Sequence, residues 1–283
     1  MRFVSLSILI ALVLWPGPAL AERSARADGR PWYAGRLDFT TGVDYRTGDY
    51  GRSEDTDILF VPFSLRYRFQ ELPLLPKRDE LRMRVGVPYV NVEGPERGNA
   101  SNGDRGTDDG VGDLSLRVTY VHRPSYNAWS RKWLPHVYLS ERVKFPIASE
   151  SKNLGTGEFD FTTGAALRKS IRIWDGAWFH TLKPFVTAGY KVVGEPPGED
   201  RDDSFRFGAG SSVRVTDALD VGVRYAYRES TIPGRGNFEI VSPYLGYRFT
   251  SWLRVSPYAI FGVSNRSPDW GTGLSIRFTQ AVE

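Results

Sequence analysis

The stretch Trp270-Gly-Thr-Gly-Leu-Ser-Ile-Arg-Phe278 decides the fold. Large side chains and small or polar ones alternate along it and an aromatic closes it, the period-two pattern of a strand with one apolar face. The same beat recurs back along the chain. It runs over Leu37–Tyr45, Leu59–Phe69, Leu81–Tyr89, Leu114–Tyr120, Val137–Phe145 and Phe159–Leu167. The second half repeats it over Val186–Val192, Phe205–Val215, Leu219–Tyr227, Val241–Phe249 and Leu253–Val263. About twelve strands result, each near the ~10 residues that a tilted membrane-spanning strand needs. An even number of strands lets both termini lie on one side. The expected fold is all-β, a transmembrane antiparallel β-barrel with both termini periplasmic.

Other features agree with a barrel in the outer membrane. Arg2, the apolar run Phe3–Trp15, the break Pro16-Gly-Pro18 and the small residues Ala19-Leu-Ala21 read as a secretory signal. The expected organisation is a cleaved signal over 1–21 and a barrel domain over 22–283, exported through the general secretory pathway. The apolar run is too short to span as a helix. Cysteine is absent, which excludes a disulfide framework and thiolate metal sites, and a net charge of +4 gives no signal for nucleic acid. The turns Thr216-Asp217-Ala218 and Thr250-Ser251 are tight, while Val92–Val111 and Gly194–Asp203 are long and polar. That is the asymmetry of periplasmic turns and outer loops, although Arg123–Trp133 and Ile171–Ala177 are not short.

Apolar-face aromatics fall at strand ends. Tyr45, Tyr89, Phe145, Tyr190, Tyr227 and Trp270 form an expected outer girdle, and Phe69, Tyr120, Phe249 and Phe278 an inner one. A soluble sandwich also alternates, but it needs neither girdles nor loop asymmetry. Two features run against the pattern. Glu141 falls on the apolar face, and Pro62, Pro88, Pro146, Pro184, Pro243 and Pro257 lie within strand segments. Each proline removes a ladder hydrogen bond, so these positions are read as bulges or rims.

Three segments carry a resemblance: Gly110-Val-Gly-Asp-Leu-Ser-Leu-Arg-Val-Thr-Tyr120, then Val143-Lys-Phe-Pro-Ile-Ala148 with Leu154-Gly-Thr-Gly-Glu-Phe-Asp160, and Ser267–Phe278. From about the third strand onward the chain resembles the outer-membrane transporters grouped under a phenol meta-cleavage pathway label. It departs from them at Ile147-Ala148, where Thr-Gly is usual, and in the residues Thr279–Glu283 that trail the terminal aromatic. The resemblance implies an outer-membrane barrel that takes up aromatic compounds.

Sorting the ionisable residues by phase uncovers a basic interior. The lumen-phase cations expected to select solutes are Arg66, Arg68, Arg82, Arg84, Arg117, Arg142, Lys144, Arg168, Arg224, Arg248, Arg254 and Arg277. Arg36, Arg46, Lys191, Arg206, Arg214 and Arg228 share their phase, against the acids Asp38, Asp44, Asp113, Asp160 and Asp220. Chain direction crowds several of the arginines toward the periplasmic end as a ring. Such a lumen focuses an anion-attracting field. The expected function is passive uptake of small solutes, with aromatic or other carboxylates favoured. Lumen-phase glycines (Gly86, Gly164, Gly189, Gly208, Gly210, Gly222, Gly246) would leave room. The rival is a barrel plugged by its own Arg/Asp network and used for structure or surface binding.

Expected partners are outer-membrane lipids and lipopolysaccharide, the barrel-assembly machinery through the C-terminal strand, and the small anionic or aromatic solutes. Catalysis is not expected: His122, His136 and His180 all fall at the periplasmic end, away from the outer leaflet that a barrel lipid hydrolase attacks. No cofactor or metal is expected. The loop Asp104–Asp109 lacks the spacing and closing Glu of a calcium loop, and Gly155-Thr-Gly157 lacks the helix and Lys of a phosphate loop.

Overall fold

Twelve strands form, one at each place where the alternation puts it. The computed structural model describes residues 34–70, 72, 75–76, 78–95, 105–124, 134–152, 154–173 and 180–282. The expected export signal, 1–21, lies outside the described residues. In chain order the strands are β1 (Gly35–Gly48), β2 (Thr56–Gln70), β3 (Glu80–Pro95) and β4 (Arg105–Val111 continued by Leu114–His122). Then come β5 (His136–Phe145), β6 (Asp160–Arg168 continued by Ile171–Arg172), β7 (Thr181–Val192) and β8 (Ser204–Arg214). The last are β9 (Leu219–Arg228), β10 (Phe238–Arg248), β11 (Leu253–Gly262) and β12 (Trp270–Val282).

Each strand pairs antiparallel with its neighbours in sequence, and β12 pairs with β1 from Gly35 opposite Val282 to Thr47 opposite Trp270. The sheet is a closed barrel without edges, so every strand finds partners on both sides. β1 begins and β12 ends at the same rim, called here the terminal rim. The opposite one is the loop rim.

The outer face is apolar. Phe63, Leu65, Val85, Leu139, Val186, Val223, Leu245 and Phe261 are exposed there, an inversion of a soluble protein that a hydrocarbon surrounding explains. At the loop rim the outer tyrosines donate their hydroxyls to carboxylates: Tyr45 to Asp57 (2.8 Å), Tyr89 to Asp109 (2.7 Å), Tyr190 to Asp203 (3.0 Å) and Tyr225 to Glu239 (2.9 Å). A ring apolar in its body and polar at its tip suits a lipid–water boundary. At the terminal rim Phe278 stacks between Phe39 (6.3 Å) and Trp252 (6.1 Å). Trp252 belongs to that girdle although its turn position hides it from the alternation.

The two tight turns are built alike. Val215 N–H bonds Leu219 O (2.9 Å) and Phe249 N–H bonds Leu253 O (3.0 Å). Thr216 Oγ1 accepts from Leu219 N–H and Thr250 Oγ1 from Leu253 N–H, both at 3.0 Å.

The expected long loop Val92–Val111 is shorter than its sequence suggested. β3 runs on to Pro95 and β4 starts at Arg105, with Glu93 opposite Thr107 and Asn91 opposite Asp109. Backbone pairing here outlasts apolar alternation, because outside the hydrocarbon both faces meet water.

The prolines differ from expectation in an informative way. Pro146 lies just past the end of β5, a rim position. Pro88 faces the bulge Gly112–Asp113 that splits β4, and its carbonyl accepts from Gly112 N–H (2.8 Å). Pro62, Pro184, Pro243 and Pro257 sit in unbulged register. Beside each, one neighbouring ladder skips: between β1 and β2 at Thr41–Val43, between β6 and β7 at Lys169–Ser170, and between β10 and β11 on both sides of Tyr244 opposite Tyr258. The missing donor is absorbed by an interrupted ladder rather than by an extra residue.

Candidate functional site: a basic lumen

Register fixes which inward side chains meet. Arg66 lies opposite Arg84, Arg84 opposite Arg117, and Arg117 opposite Arg142, so four adjacent strands carry one rung of guanidiniums. A second rung joins Arg248, Arg254 and Arg277 across β10, β11 and β12, and a third joins Arg36, Arg68 and Arg82 across β1, β2 and β3. Like charges directly opposite oppose strand pairing. The fold keeps all three rungs all the same.

Each lumen acid works as a node that gathers several donors. Asp38, with its side chain 1% exposed, accepts from Arg66 Nε (2.9 Å), Arg68 Nη2 (2.9 Å) and Thr279 Oγ1 (2.6 Å). Asp220 meets Lys183 (2.6 Å), Arg254 (2.9 Å) and Arg214 (3.6 Å). Asp160 holds Lys191 (2.7 Å) and Lys144 (3.1 Å), and Lys144 also reaches Asp113 (3.1 Å). Asp44 binds Arg46 and accepts from Tyr258 Oη (2.6 Å). The expected single ring of arginines is therefore three rungs interrupted by acid nodes.

The remaining cations stand apart from carboxylates. Arg84 donates to Ser64 Oγ (2.9 Å). Arg168 lies over Tyr138 (5.0 Å) and Phe185 (5.6 Å), and Arg228 over Phe238 (4.5 Å). Arg224 faces Gly210 and Ser242 across the strands. Among the described residues, Arg84, Arg117, Arg142, Arg168, Arg206, Arg224, Arg228, Arg248 and Arg277 make no ion pair. Arg206 Nε and Arg277 Nε are buried without a hydrogen-bond partner. Arg82 has one, Glu80, which shares its phase at the start of β3 and binds Arg123 as well.

These side chains surround a cavity of about 520 Å³ inside the barrel wall. Arg66, Arg82, Arg84, Arg117, Arg168, Arg206 and Arg228 line it, with Thr119, Tyr138, Ser140, Thr162 and Thr187. Among the described residues, none of its lining is acidic. Gly164 and Gly189 form part of the wall and supply the expected room. Gly210, Gly222 and Gly246 do not. The place of their missing Cβ is taken by the Phe185 ring, the Tyr244 ring and the Arg254 guanidinium, at 2.7, 2.6 and 2.2 Å. Inward rings from β7 and β10 thus fill space beside β8 and β9, and sequence reading missed them because a ring in the polar phase carries no signal of its own. At the loop rim of β10–β12, Ile240, Ile260, Ser267 and Pro268 are buried.

The histidines stand at the terminal rim, as expected: His122 ends β4, His136 begins β5 and His180 precedes β7. His122 Nδ1 lies 3.1 Å from Asp79 Oδ2, and the same carboxylate accepts from Tyr120 Oη and from Arg123 N–H (3.0 Å). Burial pushes the Asp79 carboxyl up, but those three donors outweigh it and hold the pKa below the ordinary value. The arrangement ties the β2–β3 connection to the end of β4. Asp79→Asn is expected to lower unfolding free energy by about 1–3 kcal/mol, read from urea unfolding of the refolded barrel. Because the folded pKa is depressed, the wild-type contribution is complete above the unfolded value of about 3.9. It is lost as pH falls through the folded one, so the two proteins should converge in stability in strong acid.

The chain matches no protein-family model and no curated protein sequence. Among solved structures it is similar to an outer-membrane channel from Pseudomonas putida F1, with a TM-score of 0.63 at 14% identity over 91% of this chain and 99% of that one. It is also similar to the β domain of a Bordetella autotransporter, with a TM-score of 0.50 at 9% identity over 87% of this chain and 99% of that one. At these identities the likeness is one of fold, that of outer-membrane β-barrels.

Proposed function

We propose that this outer-membrane-type barrel is a diffusion channel for small anionic solutes, with its terminal rim in the periplasm. One observation carries the reading: the rung Arg66–Arg84–Arg117–Arg142 faces the lumen with a carboxylate partner only at Arg66. Unneutralised guanidiniums inside low-dielectric walls raise the local concentration of anions and exclude cations. Carboxylates fit such a lining because arginine binds them through two parallel N–H groups, and aromatic acids would join that preference to the aromatic compounds that the sequence resemblance implies. The apolar exterior and its girdles suit outer-membrane lipid and lipopolysaccharide, and the outward Phe278 of β12 suits recognition by the assembly machinery. We read the His122–Asp79 pair as a structural tie and the protein as a channel rather than an enzyme.

Single-channel recording of refolded protein in a planar bilayer under a salt gradient tests this. The expected result is a reversal potential of the anion-preferring sign, reduced when Arg82 and Arg84 are changed to Gln. A potential near zero or of the opposite sign rejects anion selection. The burial of Ile240, Ile260, Ser267 and Pro268 at the loop rim favours a second reading, a barrel narrowed there that serves a structural or binding role. Silent membranes containing folded barrel would support it.

A further inference from the structure

We propose that the cavity is a saturable site for small oxyanions bearing two or more negative charges, such as polycarboxylates or phosphate monoesters. The proposal deepens the anion-channel reading and rests on the same lumen. Selection alone needs only a positive field, which one-charge ions satisfy. The cavity offers more. Five arginines on its wall, Arg84, Arg117, Arg168, Arg206 and Arg228, make no ion pair with the described residues, and none of the described residues lining the space between them is acidic. A single carboxylate would neutralise a small part of that charge. Several held on one small molecule would neutralise much more.

The volume and donors agree. About 520 Å³ lies within the ~300–1,000 Å³ typical of small-molecule sites. The arginines come from opposed parts of the wall: Arg84 and Arg117 from β3 and β4, Arg206 and Arg228 from β8 and β9. A ligand between them therefore meets guanidiniums on two sides. Arg206 Nε is a buried donor with no partner, which asks for an acceptor. Arg168 and Arg228 lie on the faces of Tyr138 and Phe238, an arrangement that fixes a guanidinium while leaving its in-plane donors free. Hydroxyls of Thr162 and Thr187 can meet the uncharged part of the solute.

Isothermal titration of the refolded barrel in detergent micelles at low ionic strength tests the site without needing conduction. Citrate and glycerol 3-phosphate are compared with benzoate. The expected result is a Kd for at least one of the polyanions about ten-fold or more below that of benzoate, weakening as salt is added. Arg117→Gln with Arg206→Gln should raise the polyanion Kd about ten-fold or more and move that of benzoate much less. Arg84→Gln with Arg228→Gln is the independent pair if the first fails to fold. Equal affinities for the mono- and polyanions, or wild-type polyanion affinity in a folded double variant, would overturn the proposal. Tight citrate binding with silent bilayers would reject the channel and keep the site. Anion-selective conduction with equal affinities would do the reverse.

Discussion

Asp38→Asn is expected to lower the unfolding free energy of the barrel by about 3 kcal/mol, the lower end of what breaking a buried ion pair costs. The substitution is nearly isosteric, so the loss is electrostatic. Asp38 is the node where β1, β2 and β12 meet: it holds Arg66 and Arg68 and accepts from Thr279. Without its charge those two arginines join the already unpaired Arg277 as neighbouring cations. The lower end of the range applies because Arg66 and Arg68 keep about a quarter of their side-chain surface open to lumen water (25% and 24%). Urea unfolding followed by tryptophan fluorescence reads the loss. A change within about 0.5 kcal/mol, the ordinary scatter of surface substitutions, would show that the node is solvated well enough to be dispensable.

The second expectation has the opposite sign for stability. Changing Arg84, Arg117 and Arg142 together to Gln should abolish most of the anion preference and should stabilise the barrel. Three consecutive cross-strand contacts, from Arg66 through Arg142, place like charges opposite one another. At roughly 0.2–1 kcal/mol per cross-strand pair, removing them gains about 1–2 kcal/mol. The pairing of a selectivity loss with a stability gain marks residues kept for function against the interest of the fold. Reversal potential and urea midpoint are measured on one preparation. A destabilised variant with unchanged selectivity would mean that lumen anions or water already satisfy the rung structurally.

Strand positions and facing were legible in the sequence because a barrel wall separates oil from water at every residue. Leu37 through Tyr45 could alternate with Asp38 and Asp44 in only one way. Glu141 faces outward as its phase required, and it accepts from Thr163 Oγ1 (2.8 Å) on the next strand. What the sequence could not display is register between strands distant along the chain. That Arg84 stands between Arg66 and Arg117 depends on two hairpins and on the bulge at Gly112–Asp113, which shifts the β3–β4 register by one residue. Asp38 and Thr279 meet across the closing seam, far apart in sequence. The lumen-phase glycines looked like uniform space, yet rings and a guanidinium from neighbouring strands fill several of them. Side-chain reach across a ladder is a tertiary property that no single strand announces.

The seam between β1 and β12 also carries the largest entropic cost of closing the barrel. Gly35 opposite Val282 is the pairing with the greatest sequence separation in the barrel, so its loop-closure entropy is the largest. Until β12 docks, the assembling chain is an open ribbon with two raw edges, each able to recruit a foreign strand. That docking zips an unbroken register and brings Tyr45 against Trp270 and Phe39 against Phe278. Sealing is therefore the pairing with the largest entropic cost of closure. A chain truncated before Trp270 would own every arginine discussed above except Arg277, and would have no interior for them to line.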